Sequence, residues 1–280
     1  MHVEVVRRYP VKSMLGEELA EAHLDASGVA GDRTHALLDV DTGRVATAKH
    51  PRLWRALLRY AASLRDGRTL VHAPTGWTLD VEDPELGPRL SDELGRPVRP
   101  TADRPAGATV ERPDPEDVLR EGVEADVEAA LLEIGQGTSG TTFVDYAPVH
   151  LITTATLAAV GTDLVRYRPN LVLRTPPGTA PFVENDWAGR ELRLDGGAVL
   201  RVLIPTPRCS VPTLEHGDLP RDPRAVRVLL ERNRVEVPGF GVLPCAGVYA
   251  EVVSSGRVGA GASAAFRPLP YLSTFDRLPS

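Results

Sequence analysis

The chain has 280 residues, 42% of them hydrophobic and 25% charged, which is globular composition with length for one large domain or two modest ones. A net charge of −6 argues against a nucleic-acid or anionic-membrane surface. Two cysteines, Cys209 and Cys245, exclude a disulfide scaffold, a four-cysteine zinc site and a built-in iron–sulfur cluster. The N-terminus is charged at Glu4, Arg7 and Arg8 and lacks the apolar run of a secretory signal, and no stretch approaches the ~20 apolar residues of a membrane helix. A cytoplasmic protein with reduced thiols and no membrane partner is expected.

The predicted elements begin with strands. His2–Arg8 ends at Pro10. Thr34–Val40 and Arg44–Ala48 flank the turn signal Asp41-Thr42-Gly43, and Leu57–Leu64 and Thr69–His72 flank Asp66-Gly67, so two hairpins are predicted. Thr78–Val81 reads as a short strand. A helix is predicted from Asp83-Pro84 to Leu94, stopped by Gly95 and Pro97. Residues 100–115 are rich in Pro, Gly and charge and read as a linker. Asp114-Pro115 opens a helix through Glu116–Leu132, although Gly122 and the negative charge also suit a solvated loop; Gln136–Thr142 is a loop.

The second half begins with strand Pro148–Ile152. Thr153 or Thr154 caps a helix ending at Gly161. Strands are predicted at Asn170–Leu173, Glu191–Leu194 and Leu200–Ile204, the last two joined through Asp195-Gly196-Gly197. A helix runs from Asp222-Pro223 to Arg232, and Gly247–Val253 returns as a strand with its turn at Ser255-Gly256. The expected class is therefore mainly β with a few helices (α+β), divided near residue 110 into an N-terminal β-barrel-like domain (1–110) and a second β-barrel domain (111–280).

Few residues stand out as carriers of chemistry. No G-x-G-x-x-G, Walker A, H-E-x-x-H or G-x-S-x-G run is present. Cys209 lies in Pro205-Thr206-Pro207-Arg208-Cys209-Ser210-Val211-Pro212, where three prolines predict a rigid extended loop after an apolar strand. Taken alone, that loop suits either a buried structural thiol or a presented thiolate favoured by Arg208. Lys12 and Ser13 project from the end of the first strand, where a lysine can serve as a point charge for phosphate or simply face solvent. Arg33 follows Gly31-Asp32, and its plain role is to pair with Asp32 at the surface. Arg168 and Asn170 flank Pro169 at a strand entry, where they can clamp an anion or serve turn chemistry. Glu184 and Asp145 are weak candidates for orienting a ligand. His150 reads as a satisfied core histidine, Cys245 as packing, and Phe182–Trp187 as a loop pinned by Trp187 or a pocket rim.

Together these pieces resemble one family. Tyr9-Pro10-Val11-Lys12-Ser13, Gly31-Asp32-Arg33 and His50-Pro51-Arg52-Leu53 look like the N-terminal β-barrel domain that precedes MOSC domains. Asp145-Tyr146-Ala147-Pro148-Val149-His150-Leu151, Arg168-Pro169-Asn170, Pro181–Trp187 and Pro207-Arg208-Cys209 follow the MOSC order. The resemblance, to proteins such as the mitochondrial amidoxime-reducing component and its bacterial relatives, spans about residues 2–255. It implies a molybdenum cofactor (Mo-molybdopterin) with Cys209 as catalytic thiolate and molybdenum ligand. Lys12, Ser13, Arg33, Asp145, Arg168, Asn170 and Arg208 would bind the cofactor between the two domains. It further implies an oxidoreductase that reduces N-hydroxylated compounds. With two cysteines, too few for a fused cluster domain, electrons would come from a separate ferredoxin-like or cytochrome b5-like protein. A persulfide-bearing sulfur carrier acting through Cys209 and a non-catalytic cofactor carrier are the alternatives. Two departures stand out: Ala147 replaces a hydroxyl residue of some relatives, and Arg257–Ala262 lacks an acidic Gly-Asp ending, which leaves the last strand open.

Overall fold

The computed structural model describes residues 1–138 and 140–267. Strands dominate, with five α-helices of four to nine residues and short 3-10 turns among the described residues. The organising element is a mixed sheet. Ala264–Phe266, Glu191–Leu194, Val199–Pro207, Gly241–Ser254, Val149–Thr153, Leu171–Arg174, His2–Arg8 and Glu17–Leu19 lie side by side in that order, and Arg234–Val237 pairs with the first part of Gly241–Ser254. Val149–Thr153 and Leu171–Arg174 form its one parallel pair among the described residues, Leu151 opposite Leu171. A parallel pair needs a crossover. Here it is helix Thr154–Val160, capped by the Thr153 hydroxyl and stopped by left-handed Gly161, then a 3-10 turn Leu164–Tyr167. Arg168 and Asn170 stand where that crossover re-enters the sheet.

The expected division at residue 110 does not separate the sheets. His2–Arg8 pairs with Leu171–Arg174, and Glu21–Asp25 pairs with Gly256–Gly259. One core accordingly joins Val3, Val6 and Leu24 to Leu151, Leu171, Leu200 and Val248. A second core, around Trp54, Leu57 and Leu86, belongs to the N-terminal half alone. Gly256–Gly259 and Ala264–Phe266 supply the last strands that the sequence left open.

Several expectations are corrected. Residues 100–115 are not a linker: Val98–Thr101 pairs with Ala36–Asp39, and Thr109–Pro113 pairs with Ala129–Glu133. Val98–Thr101 pairs on one side alone, with Ala36–Asp39, and an edge strand tolerates Pro100. The helix after Asp114 ends at Glu121, because Gly122 takes φ +101. The acids beyond it serve surface ion pairs instead, Arg52 with Asp126 at 2.6 Å and Arg55 with Glu124. Leu57–Leu64 is not one strand but a 3-10 turn Arg55–Arg59 followed by strand Ala61–Arg65. Arg44–Ala48 contributes only the bridge from Val45 to Leu38. Strand Val199–Pro207 continues through the proline-rich tract, where a loop was expected. Register shifts at Val202/Ile204 and Pro205/Pro207 absorb the missing N–H groups. The thiol of Cys209 therefore follows directly on a central strand.

Trp187 is buried and meets Phe266 edge-on at 5.0 Å, so the Phe182–Trp187 segment is pinned rather than a pocket rim. Glu184 is likewise corrected from ligand-orienting candidate to core element. Its carboxylate accepts from the Thr153 and Thr156 hydroxyls, each at 2.9 Å, and burial raises its pKa.

Candidate functional site

A cavity of about 730 Å³, counting its open part, lies where the two halves meet. That is the size of a small-molecule or cofactor site. Cys209, Lys12, Ser13, Arg33, Asp145, Arg168, Asn170 and Arg208 all line it. Residues separated by almost 200 positions thus converge on one space. It is also strongly cationic. Lys12, Arg33, Arg166, Arg168 and Arg208 face it, against the single lining carboxylate of Asp145 among the described residues.

Lys12 and Ser13 sit in the turn that leaves the first strand, held by Lys12 N–H donating to His35 O at 2.9 Å. Lys12 Nζ donates to Phe143 O at 2.7 Å and to Asp145 Oδ1 at 2.6 Å, while Lys49 Nζ reaches the same carboxylate at 2.9 Å. Burial raises the Asp145 pKa, yet Lys12 and Lys49 together hold it well below the ordinary value. Burial conversely brings Lys12 down to about 8, against the pull of Asp145 and with the repulsion of Lys49. Ser13 Oγ donates to Thr47 Oγ1 at 3.1 Å and accepts from Ala48 N–H at 3.1 Å.

Arg33 pairs with Asp32, which is buried and also accepts Tyr9 N–H at 2.7 Å, so the pair is structural and internal rather than a surface one. Its other nitrogen donates to Arg168 O at 3.3 Å. Arg168 donates from Nη1 to Met14 O at 2.7 Å and lies over the Tyr9 ring at 4.4 Å. Its Nη2 is buried without a partner, and burial beside Arg33 lowers its pKa to about 10. Asn170 lines the cavity, but its amide is committed to the frame: Nδ2 donates to Arg7 O at 3.3 Å and Oδ1 accepts His150 N–H at 3.1 Å. Arg208 donates to Tyr167 O and lies 3.5 Å from His150 Nε2. Burial first, and then Arg208, keep His150 neutral.

Backbone strain marks the same residues. Among the described residues five non-glycines have positive φ, and three of them are Ser13 (φ 64°), Arg33 (φ 48°) and Arg168 (φ 54°). Left-handed backbone is costly for a residue with a Cβ, so it persists where the side chain is required. Sequence reasoning missed this signal. It also missed Tyr9, the ring on which Arg33 and Arg168 rest, as well as Tyr249 and Arg166. Arg166 is buried without an acid. It donates instead to Leu214 O at 2.8 Å and to Pro212 and Pro220 carbonyls, which clamps the segment after Cys209.

The two thiols differ. Cys209 lies at the cavity wall, packed against Ala48, Leu58, Val211 and Leu214. Cys245 is sealed in the sheet, donates to Leu243 O at 3.4 Å, and burial pushes its pKa up to about 12. A thiol held protonated and inaccessible is packing, as expected.

Two family models match the chain. Residues 1–89 match the MOSC N-terminal beta barrel domain and residues 139–264 match the MOSC domain. The chain belongs to the MOSC family. Among solved structures it is similar to the YuaD protein from Bacillus subtilis (8% identity, TM-score 0.42, 94% of this chain and 92% of that one). It is also similar to YiiM from Geobacillus stearothermophilus (15% identity, TM-score 0.32, 57% and 72%). A comparison with curated proteins finds no match. MOSC domains are known in molybdenum-cofactor-binding proteins. No helix among the described residues is long and apolar enough to cross a membrane.

The cavity of this MOSC protein fits an anionic group that carries a soft metal. Its cations outnumber its acid, and an Arg168 nitrogen is buried without a partner among the described residues. A cysteine supplies the ligand type a soft metal prefers. No cluster of three or more His, Cys, Asp or Glu exists among the described residues to hold a metal by itself.

Lys12 gives this site a pH signature. Its charge is present at neutral pH and is lost as pH rises through about 8. Calorimetric titration of the cofactor-free protein with pyrophosphate should show affinity falling about tenfold between about pH 7 and about pH 9. Lys12→Gln should bind weakly at both.

Together with buried His150, His216 in the clamped segment contributes to the acid limit of stability. Its Nδ1 donates to Leu214 O at 2.9 Å, and burial lowers its pKa from 6.5 to about 4. The unfolded chain takes up this proton before the folded one, so stability is full above about pH 6.5 and falls as pH drops toward about 4, by about 3 kcal/mol. Urea midpoints across that range should decline, and His216→Gln should lessen the decline, leaving the part due to His150.

Proposed function

We propose that the protein binds a molybdenum cofactor in the cationic cavity and reduces N-hydroxylated compounds, with electrons from a separate ferredoxin-like or cytochrome b5-like protein. The single observation that carries the reading is the free thiol of Cys209 on the wall of a cavity whose unmatched polar groups are cationic. A cytoplasmic location belongs to the same reading.

When bound, the cofactor supplies a two-electron redox centre beside the thiol. Reduction of a hydroxylamine, R–NH–OH + 2 e⁻ + 2 H⁺ → R–NH₂ + H₂O, consumes both electrons and releases water. The chain's own residues bind and hold. Cys209 Sγ offers the soft ligand. Lys12 and Arg168 hold the anionic end, and Ser13 adds a hydroxyl to that wall. Arg33 acts as the brace, tied to Asp32 below and to the Arg168 carbonyl above. Asp145 fixes Lys12 and Lys49. Tyr249 also lines the cavity, and burial, with Asp145 adding to it, raises its pKa, so its Oη keeps a proton available at neutral pH.

Protein purified from a host that makes the cofactor is expected to contain about one molybdenum and one pterin per chain, by elemental analysis and pterin fluorescence, and to reduce benzamidoxime with a chemical reductant. A labile adduct of about 32 Da on Cys209 without metal would instead establish a sulfur carrier. Stoichiometric pterin without turnover would establish a cofactor carrier.

A further inference from the structure

A second cavity of about 580 Å³, counting its open part, adjoins the first. The two share Asp145, Pro207, Cys209 and Tyr249, so they meet at the thiol. The lining is otherwise different in kind. Val110 and Leu132 come from the ribbon of Thr109–Pro113 and Ala129–Glu133, Ile134 follows directly on it, and Ile204 comes from the central strand. Three rings complete the wall. Tyr146 lies 5.7 Å from Tyr249 and 5.9 Å, edge-on, from Phe240. Phe240 stands at the tip of the hairpin joining Arg234–Val237 to Gly241–Ser254 and is exposed. An exposed ring beside an aromatic-lined cavity is a surface suited to stacking.

One charge in this cavity is unmatched. Lys49 is paired with Asp145 at 2.9 Å, a carboxylate it shares with Lys12. Arg112 makes no ion pair among the described residues, and its guanidinium donates only to Arg208 O at a long 3.4 Å. Glu133, the other acid lining the space, is exposed and sits at the far end of the ribbon. It faces Thr109, whereas Arg112 faces Ala130, a separation of three residues or about 10 Å along the strand. A guanidinium with free donors beside apolar walls matches a carboxylate, which it can bind through two parallel hydrogen bonds.

We propose that this second cavity is the substrate site and that it takes a planar aromatic compound bearing a carboxylate. The ring lies among Tyr146, Phe240 and Tyr249, the carboxylate meets Arg112, and the reacting group points toward Cys209. The assignment as substrate site rests on the function proposed above; the ligand class rests on the cavity alone.

The test is binding to the full chain, free of cofactor, by calorimetry or saturation-transfer NMR. The probes are biphenyl-4-carboxylate and biphenyl-4-carboxamide. The acid should bind about tenfold tighter than the amide, the scale of one charge-assisted contact. Arg112→Gln should erase that preference, Arg112→Lys should keep part of it, and Phe240→Ala should weaken both probes. Melting temperatures of the variants verify folding. Equal binding of acid and amide, or a preference that survives in Arg112→Gln, overturns the proposal. The assay needs neither metal nor electrons, so its failure leaves the cofactor reading intact. Protein that binds the acid but never holds molybdenum or pterin would sink the cofactor reading and the substrate role, and leave a carboxylate site.

Discussion

Cys209→Ser is expected to lower the turnover of N-hydroxylated substrates by about 10²-fold or more while leaving the melting temperature within a few degrees. The two halves of that expectation have separate causes. Serine is nearly isosteric with cysteine, and the thiol packs against Ala48, Leu58, Val211 and Leu214 at a cavity wall, so the loss of packing is small. The segment is held from elsewhere, by Arg166 donating to the Leu214, Pro212 and Pro220 carbonyls and by Arg208 N–H donating to Pro244 O at 2.8 Å. The chemical loss is large because a hydroxyl is a poor ligand for a soft metal and no other thiol reaches the cavity. A loss of a hundredfold corresponds to about 2.7 kcal/mol of transition-state stabilisation. Steady-state kinetics, molybdenum content and calorimetric melting on the same preparations check it. A variant that turns over normally means that Cys209 has no part in the reaction.

Gly247→Ala should be the most destabilising small substitution in the sheet, costing about 2–5 kcal/mol and roughly 10 °C in melting temperature. Gly247 has φ +76°, which an L-residue pays about 1–2 kcal/mol to adopt. A Cβ there would collide with the Leu151 carbonyl and come within 2.5 Å of His150 Nε2. Neither can yield cheaply. Leu151 is paired on both sides, with Val248 and Leu171, and His150 is wedged against Arg208. Relieving such overpacking adds about 1–3 kcal/mol. Displacing His150 also disturbs Arg208, so the surviving folded protein should hold less cofactor. Denaturant unfolding and pterin content measure the two effects. A change below about 1 kcal/mol would mean that the strands separate locally at this point.

Much of this was legible in the residues. Glu191–Leu194 and the helix after Thr153 were placed by alternation and capping, signals that act locally. Every residue that the family resemblance assigned to the cofactor lines the cavity. What the sequence hid was non-local. Pro205 and Pro207 read as loop because a proline lacks the ladder donor, yet two register shifts let the strand run through them. Ala129–Leu132 read as the end of a helix or a solvated loop because the pairing partner, Thr109–Pro113, sat in what looked like a linker. The left-handed backbone at Ser13, Arg33 and Arg168 could not be foreseen either, since nothing in a serine or arginine announces it. Glu184 was misjudged for a related reason: its partners, Thr153 and Thr156, come from another part of the chain.

The pairing of the first strand with the second half has a consequence for how the protein is made. His2–Arg8 leaves the ribosome about 170 residues before its partner Leu171–Arg174, and Glu21–Asp25 waits longer still for Gly256–Gly259. At about 5–20 residues per second that is a delay of roughly 10–30 s, during which an apolar strand edge stands uncovered. Because Tyr249 and Cys209 are also late arrivals, the cavity cannot assemble until synthesis has passed Tyr249. Loading of any cofactor must therefore follow synthesis of Tyr249, made to wait by topology.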